Sequence, residues 1–283
     1  MDRIWQWAWD RHGPRYSWAF YAIAFSVMLP IYLVSSLLIV AYEESVHYVE
    51  AAAITVVGVL VQAYVNVLPG TGQKRFSERW AAGHEVDRAK ALKATYTHSR
   101  KAVARAVLFS VVWIALISIG VGAIAGVTGL RLIQYGILGA VIGVAVNLSG
   151  THNFTEAAFR PVRAALSGGT DIGDSLPRSR PTFAMWTNLF LLSVVFLFAV
   201  AGAMLAAVLN VAGHGPAIAL VIGFALTLGM AVPISVVASL SPSLQPIRDL
   251  TAGTQRVAAG DYSQRLPVVQ DDDLGALLSL IHI

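Results

Sequence analysis

The chain has 283 residues, 56% of them apolar and only 13% charged, about half the roughly 25% charge share of soluble domains. That composition excludes a disordered chain, a fibrous repeat and an ordinary soluble enzyme. With no cysteine and a formal net charge of +4, it also excludes a disulfide framework or zinc–thiolate site, and the basic excess reads as basic inner loops beside a lipid bilayer, with no nucleic-acid partner.

The N-terminal segment, residues 1–17, is basic and carries Trp5, Trp7 and Trp9, with Trp18 just beyond. Indole is apolar with one polar N–H, so these residues suit a helix at the inner membrane interface. The segment is too long in its basic part, and lacks the small-residue cleavage pattern, for a signal peptide.

Residues 18–240 contain six apolar stretches, predicted as spans over about 18–42, 46–68, 102–127, 132–148, 183–209 and 217–240. Each is long enough for a hydrocarbon core of about 30 Å at about 1.5 Å per residue. The fourth is the weakest, being glycine-rich at Gly136, Gly139 and Gly143. If the spans alternate, every basic cluster falls on one side and only Arg131 on the other. The positive-inside rule then puts both termini in the cytoplasm of a plasma (inner) membrane protein. The outer connections are very short and the inner ones are expected as loops of about 30 residues, an expectation from the span limits.

Intramembrane polar residues are Gln62, Asn66, Gln134, Asn147 and Asn188. They suit hydrogen bonding between helices or a ligand. No acidic or basic residue falls in the middle of a span, which argues against a charge-coupled transporter. A candidate outer ligand site lies at Glu43, Glu44, His47 and Glu50. A carboxylate–imidazole cluster can hold a divalent metal or respond to protons, and a solvated loop with helix-cap charges gives the same pattern. Gly70 to Arg75 lacks the strand and the Lys-Ser/Thr pair of a phosphate loop and reads as an inner turn. Pro161-Val162-Arg163 after the fourth span and Pro246-Ile247-Arg248 after the sixth, each followed by Gly-Asp and Leu-Pro pairs, suggest either an internal repeat or a coincidence of an Ala/Gly/Arg-rich chain.

After the last span, Ile247, Leu250, Thr254 and Val257 form an apolar seam on a short helix entered at Pro246. Gly260 suits its C-cap, and Asp261 begins an extended connector containing Arg265, Leu266, Pro267 and Val268. Asp271, Asp272 and Asp273 can cap a second helix beginning with Leu274 and Gly275. On these residues, 241–277 resembles a HAMP signalling linker. The resemblance implies a parallel homodimer whose two copies build a four-helix bundle. The residue pattern alone also fits an amphipathic helix lying on the membrane.

Six spans with almost nothing outside, joined to such a linker, resemble the six-span, HAMP-linked class III adenylate cyclases of actinobacteria. Arg79 to Arg105 is similar to their first inner loop. The resemblance implies a following catalytic domain with two divalent metals (Mg or Mn) that turns ATP into cAMP. No catalytic residue, metal ligand or cofactor site of that kind falls within these residues. Residues 278–283, Leu278 to Ile283, are similar to a one-frame translation of the transposon end used in sequencing libraries. The natural gene is therefore expected to continue, since Leu274 to Ile283 is too short for an isolated helix. The fold expected is all-α, a polytopic six-helix transmembrane bundle followed by a truncated HAMP linker. The function expected is membrane anchoring and signal transduction for a cyclase. Alternatives are a HAMP-coupled receptor or histidine kinase with another output domain, and a small-molecule transporter.

Overall fold

The computed structural model describes residues 2–72, 74–168, 183–213, 215–240 and 244–261. Among them every regular element is helical. The helices are α1 (Asp2–His12), α2 (Tyr16–Tyr42), α3 (Tyr48–Val67), α4 (Lys74–Ala81), α5 (Arg88–Ile124), α6 (Leu130–Ser167), α7 (Phe183–Val211), α8 (Pro216–Leu226) and α9 (Gln245–Ala258). A 3₁₀ turn at Gly13–Arg15 joins α1 to α2, and α8 continues as a π-helical stretch over Thr227–Leu240. Six helices are long and apolar enough to cross a membrane. The protein is a multi-pass membrane protein. Large apolar side chains such as Leu108, Leu192 and Leu220 point away from the bundle, as a lipid-facing surface requires.

The span limits are close to those expected for α2, α3, α7 and the last span, but α5 and α6 correct the expectation of long loops. They run for 37 and 38 residues, about 55 Å at about 1.5 Å per residue, against a core of about 30 Å. Residues 88–101 and 149–167, read as loop from their polarity, continue the helices beyond any bilayer. Asp87 starts α5, accepting hydrogen bonds from the backbone N–H of Ala89 at 2.9 Å and Lys90 at 3.2 Å.

The glycines of α6 let α5 approach closely. A Cβ on Gly139 would come within 2.3 Å of Ser118 Oγ and 2.5 Å of the Ile114 carbonyl; on Gly143, within 2.9 Å of the Ser110 carbonyl. Small residues four apart on an apolar helix permit this backbone contact, which supplies dispersion where lipid gives no hydrophobic drive. What weakened the fourth span as a hydropathy signal is its packing surface.

Two clusters fill the bundle. One, around Met28, Val59, Ile117, Val121 and Ile142, lies towards the end with short connections. The other lies at the opposite, basic end and gathers Trp5, Phe20, Leu92, Phe159 and Leu166. Of the tryptophans expected at an interface, Trp5 and Trp9 are buried in this second cluster, while Trp7 and Trp18 stay exposed. Trp5 stands edge-on to Phe20 and Phe154, with ring centroids 5.5 and 4.9 Å away.

Candidate functional site: the basic end and its junction with α9

Helix ends carry unpaired backbone groups and partial charge. At the basic end those of α2 and α3 are met by distant side chains. Glu78 of α4 accepts from the Ser17 backbone N–H at 2.8 Å and the Ser17 hydroxyl at 2.6 Å, serving as a remote N-cap for α2. Arg105 of α5 donates to the Val65 and Asn66 carbonyls at 3.0 and 2.7 Å, closing the C-terminus of α3. Lys74 donates to the Leu68 carbonyl at 3.2 Å. Burial, and then the nearby Arg105 charge, pull the Lys74 ammonium down to about 7 against the opposing influence of Glu78. Gly70 and Gly72 lie in turns, as expected, and Lys74 and Arg75 open α4.

Arg163 of α6 is wholly buried. Its guanidinium pairs with Glu156 through two contacts of 2.5 and 3.1 Å, donates to Thr95 and Ser99 of α5 at 3.1 and 2.9 Å, and lies 4.0 Å from the Tyr96 ring centroid. A planar, permanently charged group with five donors suits such a site. This arginine fastens α5 to α6 beyond the membrane.

One helical turn earlier on the same extension, Arg160 forms an ion pair with Asp249 of α9. Gln245 braces the same carboxylate at 3.2 Å. Helix α9 has Pro246 in its first turn and Ala259 at its C-cap, followed by Gly260, whose φ is +82°. The Gly260 N–H meets the Val257 carbonyl and the Asp261 N–H the Arg256 carbonyl, both at 3.0 Å. This is a Schellman cap, which needs a left-handed residue where glycine stands. Along the expected seam, Ile247 and Val257 are 39% and 40% exposed, Leu250 is half-buried and Thr254 exposed. Asp249 lies about 100° around the helix from Leu250. The ion pair therefore leaves Ile247, Thr254 and Val257 of the seam exposed.

Residues 241–279 match the HAMP domain family. A HAMP domain is a signal-transduction linker, and the six spans before it fit a membrane anchor. No curated protein and no solved structure matches the chain. Of the HAMP positions singled out in the sequence, Ile247, Leu250, Val257, Gly260 and Asp261 take the places described above and Pro246 opens the helix. Pro267, Asp272, Asp273, Leu274 and Gly275 lie outside the described residues, as do residues 278–283 and the Gly173-Asp174 and Leu176-Pro177 pairs of the suggested repeat. The repeat's described parts differ in setting. Pro161 and Arg163 are inside a long helix and buried, whereas Arg248 is exposed near the start of α9.

The candidate outer cluster is distributed over separate contacts. Glu43 accepts from the Tyr135 hydroxyl and pairs with Arg131 at 3.2 Å. His47 Nδ1 is 3.1 Å from the Ser45 hydroxyl, Glu44 has a φ of +52°, and Glu50 lies in the first turn of α3. Among the described residues no group of three or more His, Cys, Asp or Glu is placed to hold a metal ion. Within the membrane, Gln62 donates to Asn66 at 3.1 Å, Asn66 to Asn147 at 2.9 Å, and Asn147 to the Gly143 carbonyl at 2.8 Å. These amides join α3 to α6, as expected of interhelical polar residues.

Glu78, Arg105, Arg160 and Arg163 were not singled out as site residues from the sequence. In the sequence Arg163 stands out only within the suggested repeat, and Arg105 only as the end of the inner-loop resemblance. Their one sequence signal was position: each is a charge within a few residues of a helix end or on an amphipathic continuation of a span.

Proposed function

We propose that the chain is the membrane anchor and signal-transduction region of a homodimeric adenylate cyclase in the inner membrane, with both termini in the cytoplasm. The observation that carries this reading is the HAMP match directly after six spans whose connections at the opposite end are short. A signal would enter through the spans and leave through α9. Arg160–Asp249 couples α9 to the α6 extension, and the uncovered Ile247–Leu250–Val257 seam is where a second copy would pack in parallel. The two divalent metals and the conversion of ATP to cAMP would belong to a following domain. This chain's part is to hold and orient that domain. The basic residues gathered at the α9 end support a cytoplasmic location for it.

The test is a long read of the native locus across the codon for Leu277, followed by cAMP assay of membranes carrying the gene as read. The expected result is a frame that continues through a second HAMP helix into a domain with metal-binding aspartates, and cAMP formation that needs Mg or Mn. A kinase or other output domain in that position, or a stop codon there in native DNA, overturns the cyclase reading.

A further inference from the structure

A cavity of about 360 Å³ lies between α2, α3, α6, α7 and the last span, within the range of about 300–1,000 Å³ common to small-molecule sites. Along α2 it reaches from Phe20 to Leu38, roughly 27 Å at about 1.5 Å per residue. Its two ends differ. Towards Leu38 the wall is mainly apolar, with Val34 and Leu205. At the basic end it presents Asn66, Asn147, Ser149, Thr151 and Thr155. Thr151 donates to Asn147 Oδ1 at 3.2 Å, so this polar end is an ordered network.

No charged residue lines the cavity among the described residues. A carboxylate, phosphate or ammonium head would lose its hydration with nothing to neutralise it. A hydroxyl head, by contrast, both donates and accepts, which matches amides and hydroxyls. We propose that this cavity binds a neutral, single-chain amphiphile with a hydroxyl head, the head at Asn66, Asn147 and Thr151 and the chain running towards Leu38. The volume suits one chain rather than a two-chain lipid. Met230 and Ile234 of the π-helical stretch form part of the wall, so an occupant touches the segment that leads to α9. The site is independent of the identity of any output domain.

The glycines in the wall supply the test. A Cβ on Gly202 or Gly223 meets nothing within 4 Å, so a larger side chain there enters the space without a clash and favours the helix. Gly229 is equally open but does not line the cavity and serves as a control. The full chain, reconstituted in nanodiscs, is photolabelled with hexadecanol bearing a diazirine in its chain. The expected labels fall on the cavity face of α2, α7 and the last span. Gly202→Leu and Asn147→Leu each cut labelling at least tenfold, Gly229→Leu leaves it unchanged, and excess hexadecanol competes at least tenfold better than palmitate. Labels on the lipid-facing positions Leu192 and Leu220 that Gly202→Leu does not reduce would overturn the site. Equal competition by palmitate would overturn the neutral head.

Discussion

Arg160 of α6 and Asp249 of α9, 89 positions apart in the chain, form an ion pair at the edge of the basic end. Both side chains are about four-fifths shielded, at 20% and 19% exposure, so water screens the pair less than a surface salt bridge. It ties the extension of the fourth span to the first HAMP helix and bypasses the last span. Its double-mutant cycle, Arg160→Gln with Asp249→Asn, is expected to give a coupling of about 1 kcal/mol. A charge exchange, Arg160→Asp with Asp249→Arg, should recover part of the loss of either single charge reversal. Thermal unfolding of the purified chain in detergent measures both, and a cycle that sums to zero would remove the tie.

Arg163 is a different kind of charge. Replacing it with Met leaves Glu156, only 12% exposed, without its partner. Breaking a buried pair in this way costs about 3–5 kcal/mol. Arg163→Lys keeps the charge but loses the forked contacts to Thr95, Ser99 and Glu156, and should fall between Met and the native residue. Removing both charges, as Arg163→Met with Glu156→Gln, is expected to be milder than Arg163→Met alone. Denaturation midpoints of the four proteins decide it.

Lys74 sets a pH dependence. Its folded pKa of about 7 lies below the ordinary 10.5, so between these values the unfolded chain binds more protons than the folded one. Stability therefore rises with pH across that window, and the penalty for burying the ammonium is present in full below about 7. A melting profile from pH 6 to 10 should climb, and Lys74→Met should flatten that climb. An unchanged slope in the variant would assign the pH dependence to another group.

The approach of α5 to α6 predicts an asymmetry among glycines. Gly139→Ala forces a Cβ against the Ser118 side chain and the Ile114 carbonyl, an overpacking cost of about 1–3 kcal/mol. The same change at Gly202 meets open space and should stabilise by about 0.4–1 kcal/mol. Melting temperatures of the two variants should move in opposite directions.

The chain has no cysteine, so single substitutions report contacts between copies without background. Leu250→Cys and Val257→Cys should cross-link in membranes if the seam pairs two parallel copies, while Asp249→Cys, about 100° away on the helix, should not. Equal cross-linking at all three would point to random collision.

The spans and α9 were legible because their signals are local: hydropathy over about 20 residues, a seam at helical spacing, and a glycine at a C-cap. The extensions of α5 and α6 were not, because residues 88–101 and 149–167 are too polar to register as membrane, and the breakers that 149–167 holds, Gly150 and Pro161, do not end the helix. Pro161 in particular sits inside α6, where a local rule favours a stop. The burial of Arg163 and Trp5 was not legible, for one shared reason. A rule that assigns arginine to water and tryptophan to an interface describes a lone side chain, and both find partners from sequence-distant helices. Thr95 and Ser99 reach Arg163 from 68 and 64 positions away. At the outer cluster the sequence shows neighbours, while the contacts of Glu43 come from Tyr135 and Arg131 on a distant helix.

The caps on α2 and α3 have a mechanical consequence. Glu78 holds the start of one helix while Arg105, reaching across from α5, holds the end of the other, and the Arg163 contacts lock α5 to α6. Sliding any of these four along its axis by one turn, about 5.4 Å, would pull Glu78 or Arg105 off the backbone ends they satisfy, or Arg163 off Thr95 and Ser99. The last hairpin is packed more loosely. The most apolar stretches of α7 and the final span are 11% and 0% buried, against 28–39% for the other four, so displacing them breaks fewer contacts. Among the described residues the first four spans act as a stator and the last two as a compliant pair, and it is this pair that α9 follows in the chain.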